Sequence, residues 1–559
     1  MAAHVPRAPG YPQMLSSGAQ HLSGPDQVLL RNTEACAELA RSLRATFGPA
    51  GLRKLVVGDG PRALLTGDAA TVLRELRIEQ PAADMLAQAV RAQDEAAGDG
   101  RAAVLLLGGA LLERAGRLLR EGLPAAELSR GLRQASGRAL RALDGLCCGA
   151  LEAEAGAGRV ARALRAAVGA KLRGDEGPVP RLVAEACLAV REASGPGWEL
   201  EPERVRVCRV PGGGLADSRL LRGLALRLGG GGEAEAGGAL RALGPARVAV
   251  YDCAFEPARP RLAATARVRD PEELRALGQA EERAAEAGVA QLERAGVRLL
   301  AVGGRLSDAA LHWAERCGLL VLRLHSRRAL AALARASQAT PLLRPRPPAP
   351  GELGRLRRLG LSEEGGWLLA TLEPAEGAAA CCTVVLRGST PGLLDAAEQA
   401  VRDGLSTYRA LGRDGRLVPG AGATEMELAV RLAAEAEACA GLEQYAFRAY
   451  AGGLEDVAGA LVRNAGGPEE RAVARLRALH QRGAAGLGFD LEAGGEAALD
   501  AAQAGLCEPL LVKRSGLQLA AQAALAVLGV DQVIVAKKSG GPKPRPDNPN
   551  WDLPPDRID

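Results

Sequence analysis

The stretch from Arg247 to Ala339 decides the architecture. Arg247-Val-Ala-Val-Tyr-Asp-Cys253 reads as a strand, Pro271 to Ala295 as a long charged helix, and Val297-Arg-Leu-Leu-Ala-Val302 as a second strand. Ser307 to Cys317 then reads as a helix, Leu319-Leu-Val-Leu-Arg-Leu324 as a third strand and Arg327 to Ala339 as a further helix. Short aliphatic runs alternating with longer helical segments are the pattern of an α/β unit. A glycine-rich stretch, Gly229 to Gly238, and a proline-rich one, Pro341 to Pro350, bracket it and are expected to be surface loops.

Outward from this unit the texture is helical on both sides. From about residue 25 to 145 the chain reads as successive helices separated by glycine turns. Leu128, Leu132, Ala135, Ala139 and Leu143 fall at three- and four-residue steps and make one apolar stripe. The segment after Gly100 is apolar nearly all round, which predicts a helix buried at the centre of its domain. Helical texture returns from about residue 405, with Gly422-Ala423-Thr424-Glu425 as a capping signal ahead of the run Met426 to Ala434. Ser539 to Asp559, rich in Pro, Gly and charge, is expected to be a disordered tail. The fold class is therefore a multidomain α and α/β chain, in which a helical domain made from both chain ends is interrupted by an inserted α/β module. A module attached by two crossings can swing.

Composition agrees and narrows the function classes. The 559 residues exceed the roughly 250 to 300 at which single cores stop growing, so about two to four domains are expected. With 47% hydrophobic and 25% charged residues a core can form over most of the length. Aromatics at 2% leave the interior to small aliphatic side chains and leave few rings to stack on bases. A net charge of only +5, with both signs interspersed, gives no footprint for nucleic acid. No apolar run is long enough to cross a bilayer: Ala102 to Leu112 is the longest and is broken by two glycines, and the first ten residues lack an apolar segment. The 11 cysteines, without a C-x-x-C pair or a neighbouring His cluster, read as reduced buried thiols of a cytoplasmic protein.

Three short motifs carry candidate chemistry. Phe47-Gly48-Pro49-Ala50-Gly51 follows a helix; its glycines let backbone N–H groups approach a phosphate, or simply cap the helix. Thr66-Gly67-Asp68-Ala69-Ala70-Thr71 and Gly98-Asp99-Gly100-Arg101 each precede an apolar helix. An Asp there is either an N-cap or, beside bound phosphates, one of the few protein ligands that Mg²⁺ needs. There is no G-x-x-x-x-G-K-[ST], so the chain is not a P-loop protein. Nearly all of the 71 basic residues are arginine; the lysines Lys54, Lys171, Lys513, Lys537, Lys538 and Lys543 are therefore worth following as compact cations.

Taken in order over the whole chain, five motifs resemble the group II chaperonins. They are Gly48-Pro49-x-Gly51, Asp68-Ala69-Ala70-Thr71, Gly98-Asp99-Gly100, Arg387-Gly388-Ser389-Thr390 and Pro419-Gly420-Ala421-Gly422-Ala423-Thr424-Glu425. His4 to Gly10, Leu73 to Leu76 with Gln80 to Ala83, Gly441 to Ala446, and Gly540 to Pro544 with the late Trp551-Asp552 resemble the theta branch of that family. The resemblance is thinnest in the α/β insertion. It implies a chaperonin fold: a helical equatorial ATPase domain (residues 1–146 and 406–538), a small intermediate domain (147–213 and 373–405), an apical α/β domain with a lid protrusion (214–372), and the 539–559 tail. It further implies ATP and Mg²⁺ as cofactors, paralogous subunits in a double ring as partners, and unfolded clients such as actin and tubulin. Nucleic acid and membrane are not expected as partners. Carried over by residue, Asp99 is the Mg²⁺ ligand. Phe47, Gly48, Pro49, Gly100, Arg101, Ala102, Lys171, Gly420, Gly422, Glu508 and Lys513 surround the nucleotide, and Asp403 acts with Asp68 to orient the attacking water. Asp403 is remote in sequence from Asp99, so it reaches the phosphates only when the hinge closes, which ties hydrolysis to lid movement.

The sequence departs from that pattern in three places. Arg101 and Ala102 stand where the family has threonine after Gly-Asp-Gly, so a hydroxyl is lost; the guanidinium either substitutes as a phosphate clamp or crowds the pocket. Ala421 replaces the middle glycine of a triple glycine, adding strain if that position needs positive φ. Glu508 replaces a shorter aspartate. Two readings follow: an ATP-hydrolysing ring subunit, and a theta-like paralogue that keeps the fold but acts as a non-catalytic binding or scaffold protein outside the ring.

Overall fold

A computed structural model of the chain describes residues 21–22, 25–57, 63–172, 177–194, 197–229, 234–237, 242–256, 270–375, 380–495 and 497–534. The expected tail at 539–559, Lys537, Lys538, Lys543 and the opening residues lie outside them. Apolar residues are buried in separate clusters, and the largest draws on both chain ends. It runs from Cys36 through Leu146 and resumes from Val418 to Leu528.

Helices Pro25–Leu43, Pro81–Ala96, Arg101–Arg120 and Ala125–Asp144 meet helices Ala423–Ala438, Glu443–Asn464 and Leu510–Leu528 in this cluster. The Arg101–Arg120 helix is the centre, as its unbroken apolar surface demands: Val104 to Leu112 are all buried. The Leu128 to Leu143 stripe lies wholly inside, each of its five residues no more than 2% exposed. Gly422 caps helix Ala423–Ala438, Thr424 and Glu425 lie in its first turn ahead of Met426, and the Thr424 hydroxyl donates to the Pro419 carbonyl at 2.7 Å.

A second cluster joins helices Ala157–Leu172 and Val179–Val190 to strand Cys382–Gly388 and the long helix Pro391–Arg413. Strand Val205–Pro211 pairs in parallel with Cys382–Gly388 from Val205↔Cys382 to Pro211↔Gly388, so the entering and leaving chains lie side by side.

Beyond them an eight-stranded sheet carries the α/β unit. Its centre is Ala246–Tyr251, Val297–Val302 and Leu320–Leu324, all parallel, with helices Pro271–Arg294, Asp308–Arg316 and Arg327–Ser337 between and after them. Ser307 and Ser326 cap the last two helices by accepting from Ala310 N and Ala329 N. These elements match the sequence reading to within about two residues. Strand Gly354–Glu364 pairs with both Ala246–Tyr251 and Trp367–Pro374, closing the sheet on itself.

Two expectations fail here. Part of Gly229 to Gly238 is not loop: Ala234–Gly237 is a strand, paired antiparallel with Leu320–Leu324, and Ala234 is fully buried. Ladder hydrogen bonds and burial outweigh the low strand propensity of its Gly and Ala. Nor are all the thiols buried. The cysteines are free, but Cys147 and Cys148 are exposed because they occupy the turn between helix Ala125–Asp144 and the short strand Gly149–Ala150. No described helix is long and apolar enough to cross a membrane.

Candidate functional site

The helical body meets the Pro391–Arg413 helix at two turns that open helices. Asp68 caps helix Ala69–Glu75: its Oδ2 accepts from Thr71 N at 2.9 Å and from Thr71 Oγ1 at 2.8 Å. At the second turn the cap is Gly100, in a left-handed conformation (φ 76°), while Asp99 stands just outside and accepts from Gly100 N through Oδ1 at 2.7 Å. Gly98 (φ 68°) is required by close approach, since a Cβ there would sit 2.3 Å from Ser406 Cβ on the long helix. Gln93, fully buried, braces the turn by donating from Nε2 to the Asp99 carbonyl at 2.8 Å and to the Val512 carbonyl at 3.3 Å.

Arg101, the first residue of the central helix, is 5% exposed and lies among carboxylates. Its Nη2 is 2.6 Å from Asp403 Oδ1 and 3.1 Å from Asp68 Oδ1, and its Nη1 is 2.7 Å from Asp94 Oδ1. Lys171, in the last turn of helix Ala157–Leu172, reaches Asp68 Oδ1 at 3.2 Å and Asp403 Oδ2 at 3.9 Å. Burial works against the ionised Asp68, but Lys171 and Arg101, with the Thr71 hydrogen bonds, outweigh it and hold the carboxyl well below the usual range. For Asp403 burial prevails, pushing it up to about 6 against Arg101 and Lys171, with Asp99 and Asp68 adding to the rise. Gln399 donates to Asp403 Oδ1 at 2.8 Å, and the buried Asp403 Oδ2 accepts no hydrogen bond.

A cavity of about 340 Å³ adjoins this cluster, lined by Gly48, Gly51, Asp68, Thr71 and Lys171 from one side and by Gln399 and its helix neighbours from the other. Its volume is that of a small-ligand site. The Gly48 loop is held from behind by Asn464, whose Nδ2 donates to the Phe47 carbonyl at 2.7 Å and the Arg44 carbonyl at 2.9 Å. Pro49 lies in the turn between Gly48 and Gly51, and Ala102 follows Arg101 in the helix's first turn.

A second ionic group stands across Asp99. Lys513 on helix Leu510–Leu528 pairs with Glu425, and its Nζ is 2.9 Å from Glu508 Oε2. Burial opposes the Lys513 charge, but Glu425 and Glu508 hold its proton far more tightly than usual; burial raises Glu508 despite Lys513. Asp99 acts electrostatically on Arg101 and Asp403 on one side and on Glu508 on the other, so the two groups share one neighbourhood. Gly420 lies under Glu508: a Cβ there would be 3.2 Å from Glu508 Oε1. Gly422 is left-handed (φ 81°), and so is Ala421 (φ 53°), one of only two non-glycine residues with positive φ among the described residues. An L side chain there costs about 1 kcal/mol. Ala421→Gly is therefore expected to raise stability by about 1 kcal/mol in chemical denaturation, and no gain would mean that this turn relaxes in solution.

The arrangement thus brings together Asp68, Arg101, Lys171 and Asp403, and separately Gly420, Glu508 and Lys513, with Asp99 between. Sequence reading missed Asp94, Gln93 and Glu425. Asp94 and Gln93 lie in helix Pro81–Ala96 just before the Gly98 turn, and Glu425 lies inside the Pro419–Glu425 motif, so proximity to a motif was the only available signal.

The model of the TCP-1/cpn60 chaperonin family matches residues 39–538. T-complex protein 1 subunit theta of Gallus gallus is 38% identical over 552 residues, 99% of each chain, and that of Homo sapiens is equally similar over the same span. The probable T-complex protein 1 subunit theta of Schizosaccharomyces pombe is 32% identical over 553 residues, 99% of this chain and 100% of the relative. With a family match over most of its length, full-length relatives above 30% identity, and a helical body built from both chain ends around an inserted α/β sheet, the chain belongs to the TCP-1/cpn60 chaperonin family.

Proposed function

We propose that the chain works in the cytoplasm as a subunit of a hetero-oligomeric double ring of paralogous chaperonin subunits, which encloses and folds client proteins such as actin and tubulin with ATP and Mg²⁺. One observation carries this reading: Asp68 and Lys171, from remote parts of the chain, line a 340 Å³ cavity between the helical body and the segment that leads back from the inserted sheet, and Asp403 of that segment lies 3.9 Å from Lys171 behind the cavity wall. Phosphoryl transfer asks a protein mainly to position groups and balance charge, and this junction supplies both.

The residues fit such a ligand in part. Asp403 Oδ2 is buried without a hydrogen-bond partner beside the cavity, Lys171 lines it, and glycine backbone at residues 48 and 51 borders it. No group of three metal-ligating side chains exists among the described residues. Mg²⁺ carried by phosphates needs only one or two protein carboxylates, and Asp99 is the one we assign. When bound, the metal supplies neutralisation of phosphate charge. Phe47, Gly48, Pro49, Gly100, Ala102 and Lys171 would then border the phosphates, Gly420, Gly422, Glu508 and Lys513 the rest of the nucleotide, and Asp68 with Asp403 would orient water. Ring membership is supported by the hairpin Lys54–Val57/Ala63–Thr66. Leu55 (63% exposed) pairs with Leu65 (41%), and Val57 (73%) points to the same side, an apolar face suited to a neighbouring subunit.

Sedimentation of the tagged full-length protein from cells tests the assembly: co-migration with paralogous subunits is expected, and a lone chain would refute ring membership. In purified ring, Asp403→Ala is expected to cut this subunit's ATP turnover by on the order of 10²-fold. An unchanged subunit-resolved rate removes Asp403 from the mechanism. The second reading, a non-catalytic scaffold outside the ring, is favoured by the Arg101 pairing with both carboxylates; it forecasts no thermal shift with Mg-ATP.

A further inference from the structure

We propose that Arg101 is an internal latch, which ties the Pro391–Arg413 helix to the helical body through Asp403 and so closes this junction without nucleotide. The proposal deepens the reading above, since it takes the Asp68–Asp403 cleft as the nucleotide site.

The geometry is that of a clasp. One fork of the guanidinium is anchored in the body at Asp94 Oδ1 (2.7 Å), and the other spans from Asp68 Oδ1 in the body (3.1 Å) to Asp403 Oδ1 on the long helix (2.6 Å). The side chains of Arg101, Asp68 and Asp403 are 6%, 3% and 2% exposed, so water neither screens nor replaces these contacts. A cation at a helix N-terminus opposes the helix dipole, so the side chain depends on its carboxylates to stay there.

Beside the guanidinium, Lys171 also bridges Asp68 and Asp403, and Gly98 packs against Ser406. The apolar contact is one small cluster, Ala97, Ala410 and Val512 with Leu511 beside it. Arg53 donates to the Gly392 carbonyl at 3.2 Å and Arg409 to the Glu95 carbonyl at 3.4 Å, both nearer the surface. The Asp403 helix therefore owes much of its docking to the buried ion pairs, and breaking one partner of such a pair is far more disruptive than losing an exposed one.

The chemical consequence concerns Asp68 and Asp403. Both already have a cation within hydrogen-bond distance, supplied by the chain itself, whereas the neutral hydroxyl side chain expected at this position would leave their charge to be balanced by the ligand. While the guanidinium holds both carboxylates, nucleotide gains no added contact with them from closure, so binding and closure are weakly coupled in this subunit. A ligand that interacts equally with two states shifts neither.

Hydrogen exchange of residues 391–413 in the full chain, alone and with Mg-ATP, tests this. Wild type is expected to show the same slow exchange in both conditions. Arg101→Thr is expected to speed exchange without nucleotide by on the order of 10²-fold and to regain protection with Mg-ATP. Asp403→Asn, which keeps the guanidinium with Asp68 and Asp94, is expected to loosen the same helix and serves if Arg101→Thr does not fold. Protection of the wild-type helix only when Mg-ATP is present, or exchange in either variant equal to wild type, overturns the latch. Thermal shift of the Arg101→Thr chain separates the two ideas: loosening without any Mg-ATP shift upholds the latch and refutes the nucleotide site, and a shift without loosening does the reverse.

Discussion

Lys513→Met is expected to destabilise the helical body by about 3 to 5 kcal/mol, the usual cost of removing one partner from a buried ionic group. Lys513 is the cation shared by Glu425 and Glu508, its side chain is 13% exposed and that of Glu425 only 9%. Methionine matches the length and apolar character of the lysine stem, so lost packing contributes little and the effect reports the buried Glu425 and the half-buried Glu508 carboxylates left facing each other. Glu425 Oε2 is already without a hydrogen-bond partner, which leaves no local group to take over. Combining Lys513→Met with Glu425→Gln should recover a large part of the loss, because the repulsion with Glu508 then disappears. The denaturant midpoint of the full chain is the measurement. A change under about 1 kcal/mol would mean that water reaches this triad in solution.

Trp198→Ala is expected to cost about 3 to 5 kcal/mol in the unit built on the second core. Trp198 lies on strand Gly197–Glu199, is 6% exposed, and stacks on Tyr408 with ring centroids 5.0 Å apart. Its Nε1 donates to the Tyr408 carbonyl at 3.2 Å, and the backbone comes so close that a Cβ at Gly412 would lie 2.2 Å from the Trp198 carbonyl oxygen. This contact grips the Pro391–Arg413 helix little more than one turn beyond Asp403. The variant should therefore expose residues 391–413 to hydrogen exchange as well as lower the melting temperature, while Trp198→Phe retains most of both. A melting loss with no change in that helix would show that the tryptophan supports only its own strand pair, Glu192–Ser194 with Gly197–Glu199.

The elements that sequence read correctly are those with strong local periodicity. The Leu128–Leu143 stripe, the apolar Arg101–Arg120 helix, and the strands and helices between residues 246 and 337 all declare themselves through neighbours three, four or two residues away. The strands that sequence missed depend on distant partners. Gly354–Glu364 is rich in arginine and acquires its strand identity from Ala246–Tyr251 and Trp367–Pro374, and Val205–Pro211 acquires its own from Cys382–Gly388. Ala421 was legible as a conditional: an alanine among glycines announces strain only if φ is positive, which the fold then requires.

The sequence by itself determined the family, the helical body with its α/β insertion, and Asp68 and Asp99 as candidates, because each rests on composition, short-range periodicity or ordered motifs; Lys171 and Asp403 became candidates through the family resemblance that those motifs carry. Only the tertiary structure decided what Arg101 does. Seen in the chain it is equally a phosphate clamp or an obstruction; folded, it is claimed by carboxylates, one of them 302 residues away. Ion pairing depends on separation in space and on exclusion of water, and neither is written in the spacing along the polypeptide.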